Sequence, residues 1–286
     1  MPSTIDLRRR IRSVKSTQQL TKAMKMVAAA KLRRSQERMF SARPYAAGLR
    51  EILASISTRV DVSKHPLLAE RDEENKVLLV VVTADRGLCG AFNTNVMRGA
   101  LNAIAEKRWP EVHLLPIGSK ANAFFKRRAY PLRQQGTQLM QALASGTVQE
   151  LGKMITEDFI SGDFDAVYVI YNEFKSIIAQ RVTLERLLPL QKPGEGSQSA
   201  NEIDYLYEPS PEEILNELLP RHIEFQLYRI LLESAAAEQG ARMTAMEAAT
   251  KNAGELVDTL TLNYNRIRQA QITKEIIEIV SGAAAQ

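Results

Sequence analysis

The segment Thr83–Asn93 (TADRGLCGAFN) follows a short apolar run and precedes a helix-forming one. That is the position at which α/β proteins commonly bind phosphates. A nucleotide loop there would carry G-x-G-x-x-G or G-x-x-x-x-G-K-[ST], because backbone N–H groups must approach the phosphate closely. Neither pattern is present, and Asp85 would repel a phosphate. The segment reads as a tight turn in which Gly87 and Gly90 relieve steric crowding. Cys89 lies in the same turn without a neighbouring histidine in sequence, and reads as a small buried hydrophobe rather than a nucleophile. It is the single cysteine, so neither an intrachain disulfide nor a cysteine-built metal site is available. His65, His113 and His222 lie far apart without ligand spacing, and no metal or cofactor is expected. Met24 and Met26 read as packing material, and Glu275 and Glu278 as exposed helix carboxylates rather than an acid–base pair. No residue set here reads as catalytic.

Charge is a stronger signal than any of these. The 286 residues carry a net charge of +5, but between Leu7 and Arg50 thirteen Lys and Arg residues face one acid, Glu37. Such a stripe suits an acidic partner: nucleic acid, anionic lipid or an acidic protein surface. A nucleic-acid binder would bring a recognisable module or stacking aromatics, and Phe40 is the lone aromatic between Met1 and Pro44. The longest apolar run, Val77–Val82, is far short of the roughly 20 residues that span a bilayer. The basic N-terminus has no apolar stretch of a secretory signal and reads as mature structure.

These residues must be positioned by three kinds of element. Ser3–Arg59 is rich in Ala, Leu, Met, Lys, Arg and Gln, all good helix formers. Leu7, Ile11 and Val14 have the spacing of a packing seam; Gln18 and Thr21 interrupt it, and Leu20, Met24 and Val27 resume it on a shifted face. Pro44 is expected to kink or end this helix. Asn75–Pro189 alternates strands (Lys76–Thr83, Val112–Ile117, Ala166–Tyr171, Ile177–Leu188) with helices (Asn93–Lys107, Ser119–Arg128, Thr147–Ile160), the pattern of an α/β domain with a mainly parallel sheet. Gln191–Asn201 reads as a mobile loop. A final helix starts at Ser210, Pro211 and Glu213, a capping box, or else at Pro220. Arg221–Val280 would extend about 90 Å as a helix, and Gly282 is expected to stop it. Its Ala235–Ala253 stretch is rich in alanine and permits close approach of another helix. Two terminal helices of this length bury their faces by pairing antiparallel as a coiled coil that projects from the α/β domain.

Four stretches carry a family resemblance: Ser13–Arg34 (SVKSTQQLTKAMKMVAAAKLRR), Thr83–Asn93, Arg242–Ala253 (RMTAMEAATKNA) and Gln269–Gln286 (QAQITKEIIEIVSGAAAQ). With the order helix, α/β domain, helix, they closely resemble the γ subunit of F-type ATP synthases, in its bacterial form. The resemblance implies a long antiparallel coiled coil of the terminal helices (1–60 and 210–286) with an inserted Rossmann-like α/β foot (75–190) and a flexible connection (191–209). It implies a rotor stalk turning inside the α and β subunits, with the foot on the c-ring and against the ε subunit. Nucleotide would sit on α and β, so γ itself would carry no cofactor, no nucleotide and no catalytic residue. The implied location is the cytoplasmic face of the bacterial inner membrane, held peripherally through the c-ring. Met24 and Lys25 match the passage by the acidic lever loops of β, while Arg242, Gln269, Thr273 and Glu278 match coupling positions. Ile276, Ile277, Ile279 and Val280 match an apolar bearing tip, and Asp85, Arg86, Gly87, Cys89 and Gly90 a turn in the foot. Pro220 and Ala91 depart from the family pattern; the second stands where a glycine is common. A nucleotide-binding α/β enzyme and a nucleic-acid-binding basic coiled coil are the alternative readings.

Overall fold

A computed structural model describes residues 3–57, 65–69, 71, 73–128, 130–133, 138–143, 145–190, 208 and 210–284. The expected mobile segment Gln191–Asn201 lies outside them, as does nearly all of 191–209. Helix α1 (Thr4–Ser57) begins at Ser3, whose Oγ accepts the N–H of Asp6. The chain then runs β1 (Lys76–Val82), α2 (Phe92–Lys107), β2 (Glu111–Ile117), α3 (Ser119–Lys126), a one-turn α4 (Leu139–Ala142) and α5 (Ser145–Ile160). β3 (Ala166–Phe174) and β4 (Gln180–Leu188) follow, and α6 (Pro211–Ala284) closes the chain with 74 residues. By contacts the chain forms two units, one of 1–29 with 242–286 and one of 30–241.

In the larger unit the sheet order is β2-β1-β3-β4. β1 pairs parallel with β2 and β3, and β4 is added antiparallel through a hairpin. β1 is central, so both of its faces are covered and its sequence is continuously apolar rather than alternating. Leu78, Val80 and Val82 face a core shared with α1 (Leu49, Leu53, Ile56), α5 and α6. Val77, Leu79 and Val81 face α2 and α3 on the other side. The domain is therefore a three-layer sandwich with every strand anchored from two sides.

Several expectations are corrected here. Pro44 does not end α1, and Pro220 neither ends nor starts α6. A proline removes one backbone hydrogen bond, but packing outweighs that loss at both places. Tyr45 packs against Phe225 with ring centroids 5.1 Å apart, and Leu215, Leu219, Ile223 and Leu227 bracket Pro220 in the core. The start at Ser210 holds: its Oγ accepts the Glu213 N–H and its carbonyl the Ile214 N–H. Gly282 does not stop α6, which continues to Ala284, since one glycine costs only about 1 kcal/mol beside alanines. The last strand begins at Gln180, because Ser176–Ala179 forms the hairpin turn, and α4 had no periodic signal at four residues.

Candidate functional site

In the smaller unit, α1 and α6 pair through positions that can be followed layer by layer. Arg8 donates to the Tyr264 hydroxyl (2.7 Å), and a Cβ on Gly254 would lie 2.9 Å from the Gln18 side-chain nitrogen. The Thr250 hydroxyl donates to Thr21 Oγ1 (2.8 Å), and Lys25 forms an ion pair with Glu247. Partner numbers fall along α6 as they rise along α1, so the pair is antiparallel. On α1 a regular set of less exposed positions, Leu7, Ile11, Val14, Gln18, Thr21, Lys25 and Ala28, is spaced by three and four throughout, with Met24 half-buried beside it. This corrects the expected shift of the seam at Leu20 and Val27, though not at Met24, which is half-buried. Leu20 and Val27 are 61% and 55% exposed; the seam keeps its phase and accepts polar residues at Gln18, Thr21 and Lys25. Each of these meets a matching small or polar residue on α6, so no apolar face is forced to rotate inward.

The family-matched coupling residues fall into two groups on this pair. Met24, Lys25 and Arg242 are half-buried. Arg242 lies a little over one turn along α6 from Glu247, the partner of Lys25. Gln269, Thr273 and Glu278 lie beyond, on α6; Gln269 is 22 residues from Glu247, or about 33 Å of helix. All three are exposed, and the Glu278 carboxylate meets Lys274 at 3.5 Å in an exposed contact that contributes little to stability.

α1 starts at Thr4, and its Arg8 already meets Tyr264. α6 therefore outlasts its partner by roughly 16 residues, about 24 Å. Every residue from Arg268 to Ser281 is exposed. Among them Ile276, Ile277, Ile279 and Val280 are 54–71% exposed, joined by Ile272. At 3.6 residues per turn Ile272, Ile276, Ile277, Ile279 and Val280 fall within an arc of about 160°, so they form one broad apolar face that a partner's apolar surface can cover. On α1, Leu20, Met26 and Val27 form a further exposed apolar set among the basic residues. Sequence reasoning missed that outward set by assigning Leu20 and Val27 to the seam; strict continuation of the three-four spacing from Leu7 would have found it.

Beside the polar layers lies an open groove of about 600 Å³ lined by Gln18, Gln19, Lys22, Lys25, Glu247, Thr250, Lys251 and Gly254. Its charge is basic, three lysines against one glutamate.

The turn after β1 proves to be closed on itself. Asp85 Oδ1 accepts the N–H groups of Ser119 (3.1 Å) and Leu139 (3.2 Å). A carboxylate of the chain thus occupies the start of α3, where an anion would be favoured. Asn93 accepts the Ala84 N–H and donates to Cys89 Sγ, and Cys89 is 1% exposed. Gly90 has φ +58°, as a turn glycine should, but Gly87 does not adopt a left-handed conformation; Leu88 does, at φ +63°. The steric relief expected at Gly87 is corrected accordingly. Arg86 is exposed, and its carbonyl receives Asn93. Among the described residues no three His, Cys, Asp or Glu side chains gather as metal ligands, and no helix is long and apolar enough to cross a membrane.

The chain thus belongs to the class of proteins in which a long antiparallel pair of terminal helices, here with exposed basic and apolar residues, brackets an inserted α/β domain. Residues 3–286 match the family model described as ATP synthase. The chain is 50% identical to the ATP synthase gamma chain of Chlorobaculum parvum over 290 residues, covering 100% of this chain and 99% of that one. It is 49% identical to the gamma chain of Pelotomaculum thermopropionicum, covering 100% and 99%. The fold is similar to a chain of the cryo-EM structure of the Tetrahymena thermophila mitochondrial ATP synthase central stalk and c-ring. The TM-score there is 0.62 at 28% identity, over 80% of this chain and 99% of that chain. A chain of the Euglena gracilis mitochondrial enzyme shares the fold at TM-score 0.67 and 20% identity, over 99% and 94%. The chain belongs to the ATP synthase gamma chain family.

Proposed function

We propose that this chain is the central rotor stalk of a bacterial proton-translocating F-type ATP synthase. It transmits torque between the membrane c-ring and the catalytic α/β hexamer, contacts ε, and regulates ATP hydrolysis by its rotational position. Bonds are made and broken on the other subunits. The observation that carries this reading is the roughly 24 Å of α6 that extends past α1 with isoleucine and valine exposed along one broad face. A surface of that kind costs solvation in water and is stabilised inside an apolar sleeve, where it slides without one fixed hydrogen bond to break.

Ile276, Ile277, Ile279 and Val280 are then the bearing, and Gln269, Thr273 and Glu278 polar coupling contacts on the same stretch. Met24, Lys25 and Arg242 form the second coupling level, where the basic groove suits acidic levers on β. Lys25 already holds Glu247, so an approaching carboxylate would compete for a charge that the helix pair also uses. Asp85, Arg86, Gly87, Cys89 and Gly90 form a foot-domain turn, of which Arg86 is the exposed charged member. The chain would lie peripherally at the cytoplasmic face of the inner membrane, through the c-ring.

Mixing this chain with purified α and β tests the proposal. The chain alone should not hydrolyse ATP, and the mixture should form a stoichiometric complex whose hydrolysis turns a bead fixed to the foot. Failure to co-assemble would end the reading. Lys25→Glu should impair proton pumping per ATP more than assembly; lost assembly with normal coupling in surviving complexes would contradict the role of Lys25.

A further inference from the structure

In the larger unit, α6 rests on the sheet mainly through apolar side chains: Leu219, Ile223, Leu227, Ile230 and Leu231 are fully buried there. Farther along, Ala236, Ala237 and Ala241 are buried with little side chain at all, the last two against Ala84, Cys89 and Phe92 of the turn after β1. Contacts of this kind resist separation strongly, because pulling them apart exposes apolar area. They are non-directional, however, and oppose rolling or sliding of the helix over the sheet only through small shape mismatches.

Arg229 lies where the large side chains give way to the alanines, and it supplies direction. Its Nη2 donates to Glu185 Oε1 on β4 (2.6 Å), and its Nη1 to Glu233 Oε1 one turn along α6 (3.0 Å). The other oxygen of Glu185 accepts the Tyr171 hydroxyl from β3 (2.9 Å). One guanidinium thus ties α6 to two neighbouring strands through a fixed fork. The network is not arranged for maximum stability. Glu233 Oε2 is buried without a hydrogen-bond partner, and burial, with Glu173 and Glu185 nearby, raises the Glu233 pKa despite Arg229. Half-buried ion pairs of this kind contribute little net stability, since desolvation offsets the attraction. A positional role accounts for a charge cluster in a place where leucine would pack.

We propose that Arg229, with Glu185, Glu233 and Tyr171, is a positioning cluster that fixes the rotational phase of α6 on the sheet, so that torque passes between the foot domain and the helix without slip. This rests on the rotor reading given above. The test uses the complete enzyme reconstituted in vesicles, comparing proton pumping per ATP hydrolysed with the melting temperature of the free chain. Arg229→Met/Glu185→Gln/Glu233→Leu removes the charges while keeping volume and an acceptor for Tyr171. It should assemble, melt near the wild-type temperature and hydrolyse ATP, yet pump several-fold fewer protons per ATP. Should the triple variant fail to fold, Arg229→Lys decides, because an ammonium keeps the charge but loses the fork; it should show a smaller loss of the same kind. Wild-type pumping per ATP in a folded variant overturns the proposal, as does a coupling loss that merely parallels a lower melting temperature. A wild-type complex that hydrolyses ATP without any rotation would instead overturn the rotor reading, leaving the two failures distinct.

Discussion

The same two helices behave differently in the two units of the chain. Within 30–57 and 211–241 they contribute large apolar side chains to a common core with the sheet, and every α6 residue from Ser234 to Ala241 is buried. Within 4–29 and 242–284 they pair with each other. Their seam narrows to Ala28, Ala253 and Val257, passes through the polar layers of Gln18, Thr21 and Lys25, and ends where α6 runs on alone. The difference separates two tasks. A helix anchored in a core draws its stability from burial, whereas a helix meant to face moving partners keeps its apolar residues outside and its own pairing thin.

Substitutions sharpen that contrast. The largest stability loss should come from the core of the larger unit. Leu79→Ala removes a fully buried side chain from the central strand and should cost about 2–5 kcal/mol in urea unfolding of the free chain. A loss below that of an exposed leucine would undo the assignment of β1 as the centre.

Asp165→Asn comes next. Burial pushes this carboxyl's pKa up, but the N–H groups of Lys76 and Asn75 and the Arg71 guanidinium outweigh it, so the pKa lies below the ordinary value. A depressed pKa stabilises the fold above the unfolded-state value and is lost as pH falls toward the folded one. The substitution should cost about 1–3 kcal/mol at neutral pH. It should also flatten the acid limb of a stability–pH curve measured down to about pH 3. An unchanged acid limb would show that Asp165 is not linked to folding. Glu233 has the opposite sign: its raised pKa means stability falls as pH rises from the ordinary carboxylate value, and Glu233→Gln should lessen that decline.

In the smaller unit the effects should shrink. Thr21→Val exchanges a hydroxyl pair for apolar contact in a narrow seam and should change stability by no more than about 1 kcal/mol in either direction. Replacing Ile276, Ile277, Ile279 and Val280 together by serine should alter the stability of the free chain least, within about 0.5 kcal/mol, because nothing in the chain covers them. If they form the bearing, the same variant should nonetheless lose coupled proton pumping in the reconstituted enzyme. A large loss of stability would place the tip in a fold of its own.

Much of the architecture was legible in the residue order. Strand β1 announced itself by an unbroken apolar run rich in valine, Ser210 by a capping pattern, and the terminal helices by composition and seam spacing. What failed did so for one reason: local rules were applied where tertiary contacts decide. Pro44 read as a kink or an end and Pro220 as a kink or a start, but the end and the start are both absent: the Tyr45–Phe225 contact and the leucines around Pro220 hold those helices through. Leu20 and Val27 read as seam because they repeat the four-three spacing on a shifted face, yet the phase stays the one set from Leu7 and by what α6 presents opposite. The turn at Asp85 was rightly denied a phosphate by charge, but only the folded chain shows that carboxylate bonded to the N–H of Ser119.

The sequence by itself determined that the ends are helical, that an α/β domain lies between them, and that the first helix is basic. Those properties depend on propensity, period and charge, which are local. Only the tertiary structure decided which side chains meet: Lys25 with Glu247, Thr21 with Thr250, and Arg229 with a strand forty-four residues earlier. It also decided where α6 runs out of partner, because that end is set by the register of two helices more than two hundred residues apart in the chain.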